Sequence, residues 1–312
     1  MTRLGLGVCL LLWAAGARAE VAHSEVDPTA ANPEAPKIHG PHLTSRDPAA
    51  QARHQLVVFL PGTNGLATDA APLLDVLAHD GYHAVSLDYT NTVLAASLRP
   101  SKDRAAFDNY RRSIVFGGQA TEQLTVAPAS SIASRISDLL QHLAKLRAAE
   151  GWSEFYDTKG NQGVVWQKLL LIGHSQGAGH AAFLAQQRRV AKVLLIAGPQ
   201  DFSTVYQQPA PWLSAPSRTP RERFHALLHR DDAYDVKVQI AANQALLGST
   251  AAPVYFSDGL KEQATAPGIV VSERPLDPNE GGSADKDDKG KHAHVTLARV
   301  GYAAVWRYLL SH

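Results

Sequence analysis

The chain is poor in sulfur. Its one cysteine, Cys9, and its one methionine, Met1, both lie at the very start of 312 residues. The remainder can hold no disulfide, no thiol nucleophile, no cysteine-ligated zinc and no thioether. Charge of either sign is also scarce in excess: 30 Lys and Arg stand against 29 Asp and Glu, a formal net charge of +1. With no basic run there is no electrostatic footprint for nucleic acid. Beyond the first twenty residues no apolar run is long enough to span a bilayer.

Those first residues read differently from the rest. Met1-Thr2-Arg3 makes a short basic start, Leu4 to Gly16 an apolar run, and Ala17-Arg18-Ala19 a small-x-small site before Glu20. This is the pattern of a secretory signal peptide, and its apolar run falls short of the roughly 20 residues of a membrane span. Residues 1–19 are therefore expected to be removed and the protein exported, to a periplasm or outside the cell. Val8 ahead of Cys9 argues against lipid attachment. Loss of the leader takes two arginines and no acid, turning the net charge from +1 to −1.

What remains is one domain's worth of chain, 45% hydrophobic overall and able to bury a sizeable core. Residues 20–52, with Pro28, Pro33, Pro36, Pro41 and Pro48 among polar neighbours, show no period and are expected to form an irregular N-terminal arm. In residues 53–312, short apolar runs alternate with helical patterns and no internal repeat is present. Strands are expected at Gln55–Leu60, His83–Asp88, Lys168–Ile172, Lys192–Ala197, near Arg223–Leu228 and at Gly268–Glu273. Helices are expected at Asp69–His79, Ser131–Ala149, Gln176–Arg189, Val236–Leu247 and Leu297–Leu310. Such alternation predicts an α/β fold, a mostly parallel central sheet with helices on both faces. Two long excursions, Thr90–Pro128 and Tyr206–Pro220, interrupt it as cap-like insertions. Their Phe116, Tyr206, Trp212 and Leu213 would form either an apolar acyl pocket or lid, or a satellite core under the loops.

The chemistry points to "LLLIGHSQGAGH", Leu169 to His180. The bare pattern G-x-S-x-G is cheap. Its setting is not: four apolar residues lead into Gly173, and a helix with small residues at its start follows Gly177. A serine displayed on a sharp strand-to-helix turn needs glycine two positions to either side, and the helix then turns its N-terminal end toward charge forming on a substrate. Ser175 is the candidate nucleophile. Its oxyanion donors should be the N–H of Gln176 and one from the early loop "LPGTNG", with Thr63 favoured and Asn64 the runner-up.

A serine nucleophile needs a histidine base held by a carboxylate. Of the histidines that follow Ser175 in the chain, His294 and His292 lie between the last strand and the last helix, and His294 is favoured. "LLHRDDAYD" supplies Asp232 as first choice for the acid, with Asp231 next and Asp201, after the preceding strand, as a competing location. Each could instead be a loop or helix-capping residue. Asp285, Asp287, Asp288 and Gly290 mimic a calcium loop, but position twelve is Thr296 rather than glutamate, so no metal is expected there.

With "GHSQG" as nucleophile elbow, "LPGTNG" as oxyanion loop, and "HRDD" and "KHAHV" in the acid and histidine positions, residues 54–312 resemble the α/β-hydrolase superfamily. The resemblance implies hydrolysis of a carboxylic ester in a small-molecule substrate through an acyl-serine intermediate, without cofactor, as in carboxylesterases and lipases. It departs from many relatives in Pro61, where they have histidine, and in the Asp277–Lys291 insertion ahead of the histidines. Acyl transfer to another acceptor, or a catalytically silent binding protein on the same fold, are the competing functions.

Overall fold

The computed structural model describes residues 20–157, 163–261, 265–276 and 288–311. The leader, with Cys9, and the acidic stretch holding Asp285 and Asp287 lie outside them.

Nine strands form one sheet: β1 Ala22–Val26, β2 His42–Arg46, β3 Leu56–Leu60, β4 His83–Ser86, β5 Leu169–His174, β6 Lys192–Ile196, β7 Phe224–His229, β8 Val254–Phe256 and β9 Ile269–Ser272. The order across it is β1-β2-β4-β3-β5-β6-β7-β9-β8. Strand β2 runs antiparallel to β1 and to β4, and every other pairing is parallel. The central strands are near-continuous apolar runs because both of their faces are covered. In β3 all five residues are buried.

Successive side chains go to opposite faces, and the core divides accordingly. On one face Leu56, Val58, Leu169, Leu171, Val193 and Leu195 pack under helices α3 (Ala106–Phe116), α4 (Ile132–Leu146), α5 (Gln176–Gln187) and α6 (Val236–Leu247). On the other, Val57, Phe59, Leu170, Ile172, Leu194 and Ile196 pack under α2 (Ala71–His79) and α8 (Ala303–Ser311). Burial of each large side chain contributes on the order of 1.5–3 kcal/mol, so the alternation itself holds β5 in mid-sheet. This is an α/β-hydrolase fold: a mostly parallel sheet, helices on both faces, and the candidate serine at the C-terminal end of a central strand.

Residues 20–52 are not irregular. They carry β1, the short helix α1 (Pro28–Ala31) and β2, which extend the sheet at its antiparallel edge. The apolar signal was missing because β2 reads HLTSR, yet His42, Thr44 and Ser45 are buried. Neighbours satisfy them: Thr44 donates to the Ser24 carbonyl, Ser45 bonds His23, and His42 accepts the Asp88 N–H. Helix α3 was also unforeseen, because Arg111 and Ser113 occupy buried positions on it.

Candidate active site

Ser175 stands between β5 and α5 with φ 56° and ψ −120°. This is positive-φ backbone that a residue with a Cβ avoids, at a cost of about 1–3 kcal/mol. The surroundings enforce it. The Ser175 N–H donates to the Ile196 carbonyl at 2.8 Å, and its carbonyl accepts from Ala178 at 3.0 Å. The flanking glycines leave no alternative: a Cβ on Gly173 would fall on the Gly177 carbonyl, and one on Gly177 on the carbonyls of Leu60 and Pro61. The turn is sharp because three backbone segments cross within contact of one another.

One of those segments is the loop Pro61–Gly65. A Cβ on Gly62 would lie 3.1 Å from the Ser175 Cβ, so the loop passes directly beside the serine. Three of its carbonyls are tied down by side chains from the β4 side. The Tyr89 hydroxyl donates to Pro61 at 2.5 Å, and the Asn91 side-chain amide donates to Gly62 at 2.8 Å and Gly65 at 3.0 Å. The Asn64 N–H is used by the Asn91 carbonyl at 3.1 Å, which removes the runner-up donor. Among the described residues, neither the Thr63 nor the Gln176 N–H donates to a backbone carbonyl. The two residues also touch, the Thr63 hydroxyl donating to Gln176 Oε1 at 2.8 Å.

His294 lies not in a loop but on helix α7 (Lys289–Thr296), started by Asp288, whose carboxylate accepts from the Gly290 and Lys291 N–H groups. That cap accounts for one aspartate of the apparent calcium loop. His294 Nδ1 is 2.8 Å from Asp232 Oδ2. A carboxylate is acceptor only, so Nδ1 carries the proton and Nε2 is left as the basic nitrogen. The other Asp232 oxygen accepts the Tyr234 N–H at 2.8 Å, fixing the carboxylate in a side-chain environment with no exposure. Tyr234 also lies against the His294 ring at 4.8 Å between centroids.

Ser175, His294, Thr63 and Gly62 line one cleft of about 370 Å³. Its walls include Phe59, Leu66, Leu73, Val295 and Ala298, with Lys291, Arg299 and Asp69 also lining it. A larger cleft of about 570 Å³ lies around Arg221, His225 and Gly268. That one sits at the N-terminal ends of β7 and β9, away from the strand ends where parallel sheets bind ligands.

Asp201 is bound by Arg111 through both carboxylate oxygens, at 2.6 and 3.0 Å, and by the Trp212 indole N–H at 2.8 Å, so its acceptors are taken up away from His294. Asp231 pairs with Lys289 and Arg230. His292 lies on α7, with its side chain outside the described residues. Phe116, Tyr206, Trp212 and Leu213 do not line the Ser175 cleft. Trp212 and Leu213 are buried in the core with Phe116 packed against it, and Tyr206 stacks under Arg104. Trp212, Leu213 and Phe116 thus join the main core rather than forming either an acyl pocket or a separate satellite, and Tyr206 belongs to neither.

Three residues at the site were not singled out from sequence. Tyr89 and Asn91 pin the loop as described. His174, the variable position of the motif, donates from Nε2 to the His294 carbonyl at 3.0 Å and so ties α7 to the end of β5. Burial, with His294 beside it, pushes His174 down to about 4, which keeps it neutral near pH 7. Only its place between Gly173 and Ser175 could have flagged it.

No protein-family model matches the chain, and no curated protein matches it in sequence. Among solved structures, one from Klebsiella pneumoniae subsp. pneumoniae MGH 78578, described provisionally as a dienelactone hydrolase, is similar over 94% of this chain and 100% of its own, at 13% identity and a TM-score of 0.45. The α/β-hydrolase fold of this chain rests on its own strand order and on the turn at Ser175.

Proposed function

We propose that the protein is an exported serine hydrolase that cleaves a carboxylic ester of a small molecule through an acyl-serine intermediate. The observation that carries this reading is the strained Ser175 sharing a cleft with a histidine whose Nδ1 is held by Asp232 at 2.8 Å. The basic start, apolar run and small-x-small site of residues 1–19 support export.

In this reading His294 Nε2 takes the Ser175 hydroxyl proton as Oγ attacks the ester carbonyl. Asp232 keeps the imidazole in the correct tautomer and stabilises its cation. The oxyanion is received by the N–H groups of Thr63 and Gln176, whose positions cost no reorganisation during reaction. Collapse returns the proton from Nε2 to the departing alcohol. Water then repeats the cycle on the acyl-serine and releases the acid. The apolar walls from Phe59, Leu66, Leu73 and Val295 suit an acyl or alkyl group beside the reacting carbonyl.

The test is nitrophenol release from nitrophenyl esters of graded acyl length by the mature protein, with Ser175→Ala alongside. Hydrolysis that disappears in the variant is expected. Hydrolysis that survives Ser175→Ala would remove the reading.

A further inference from the structure

Behind the nucleophile helix, on the side away from the cleft, lies a charged cluster that the reaction above does not use. Arg111 on α3 and Asp201 after β6 are both fully buried. The guanidinium meets the carboxylate through Nη2 at 2.6 Å and Nε at 3.0 Å. Its remaining terminal nitrogen, Nη1, donates to the Gln176 carbonyl at 2.8 Å and lies 3.2 Å from His180 Nδ1. Trp212 Nε1 donates at 2.8 Å to Asp201 Oδ2, the oxygen that Arg111 Nε also contacts. The two long excursions of the chain thus converge, through one ion pair, on the first residue of α5.

The helix is shaped to admit that guanidinium. A Cβ on Gly179 would collide with the Arg111 Nη2, Cζ and Nε atoms, although Gly179 is an ordinary helical position with no positive φ. The third glycine of GHSQGAG is therefore explained by Arg111 rather than by the turn. Taking two charges out of water is costly unless geometry and hydrogen bonding are excellent, and a packed apolar pair would hold α3 against α5 without that cost. What an apolar pair could not supply is a directed donor to Gln176.

We propose that Arg111, oriented by Asp201, is a positioning residue for the oxyanion hole. It fixes the backbone of Gln176 from behind while Thr63 fixes its side chain from the front, so that the Gln176 N–H is aimed before substrate arrives. This rests on the proposed serine chemistry at Ser175. Misplacement of a catalytic group by about 1 Å costs on the order of 10²-fold in rate, and loss of an oxyanion donor about 10²–10³-fold.

The experiment compares the mature wild type with Gly179→Ala, Arg111→Lys and Asp201→Asn. It measures kcat and KM on a nitrophenyl ester, the rate of Ser175 labelling by a fluorophosphonate, and the folded fraction by circular dichroism. The expected result is a fall in kcat and in labelling rate of about 10-fold or more, with KM changed less than about threefold, in variants that remain folded. Gly179→Ala removes no charged group and acts only by displacing the guanidinium. Folded variants that label and turn over as fast as wild type would overturn the inference. So would activity that declines only in step with the folded fraction. A wild-type protein that the probe never labels would overturn the serine reading itself, and this inference with it; a labelled wild type with equally fast variants would overturn this inference alone.

Discussion

His294 and Asp232 lie 62 positions apart in the chain and 2.8 Å apart in space, with the aspartate side chain wholly buried. Replacing Asp232 by Asn keeps the shape and reverses the donor, so the imidazole should settle with its proton on Nε2, where it cannot act as base. By analogy with the same exchange in serine proteases, kcat should fall about 10⁴-fold, read on a nitrophenyl ester. Asp231→Asn, at a side chain that pairs with Lys289 and Arg230 rather than with His294, should fall within about twofold of wild type.

Asn91 bonds two loop carbonyls with its amide nitrogen and His39 with its oxygen, the latter at 2.6 Å. Asn91→Ala should let the Pro61–Gly65 loop drift from the serine, lowering kcat by about 10–100-fold with smaller change in KM. Steady-state kinetics on folded protein decides it, and an unchanged kcat would show that the loop holds itself.

Gly177 cannot carry a side chain without displacing the Leu60 and Pro61 carbonyls. Backbone cannot yield as a flexible side chain can, so Gly177→Ala should cost about 3 kcal/mol or more, at or beyond the upper end for overpacking. Denaturant unfolding of the variant would check this, and a loss below about 1 kcal/mol would mean the crossing is looser than its geometry.

His42 is held neutral, its Nδ1 accepting the Asp88 N–H at 3.0 Å, and burial pushes it down to about 3. The unfolded chain, with an ordinary value near 6.5, binds this proton first. Stability is therefore full above about pH 6.5 and lost as pH falls toward 3, with a slope of up to about 1.4 kcal/mol per pH unit from this group alone. His42→Asn keeps an acceptor for the Asp88 N–H and cannot titrate, so its stability should depend less steeply on pH across that window. Parallel curves for wild type and variant would contradict the assignment.

The parts legible in the sequence are those whose signal is local. The apolar run into Gly173 and the small residues after Ser175 placed β5, the turn and α5, and the alternation gave the sheet its parallel centre. Strand β2 was not legible because polar side chains fill most of its buried positions and are satisfied by distant partners, and β1 because Val26 is its one buried residue. Helix α7, KGKHAHVT, has no apolar stripe to announce it. Among the acids, Asp201 and Asp232 look alike in sequence. Arg111, 90 positions before Asp201, separates them, and no spacing rule reaches that far.

The central claim is that Ser175 is an activated nucleophile, and covalent labelling tests it most directly. The mature protein would be treated with a fluorophosphonate and the modified peptide located by mass spectrometry, with Ser175→Ala and His294→Gln in parallel. The account predicts a single adduct on Ser175, absent from Ser175→Ala and formed far more slowly in His294→Gln. Folded wild-type protein that takes no label, or takes it at another residue, would contradict the account.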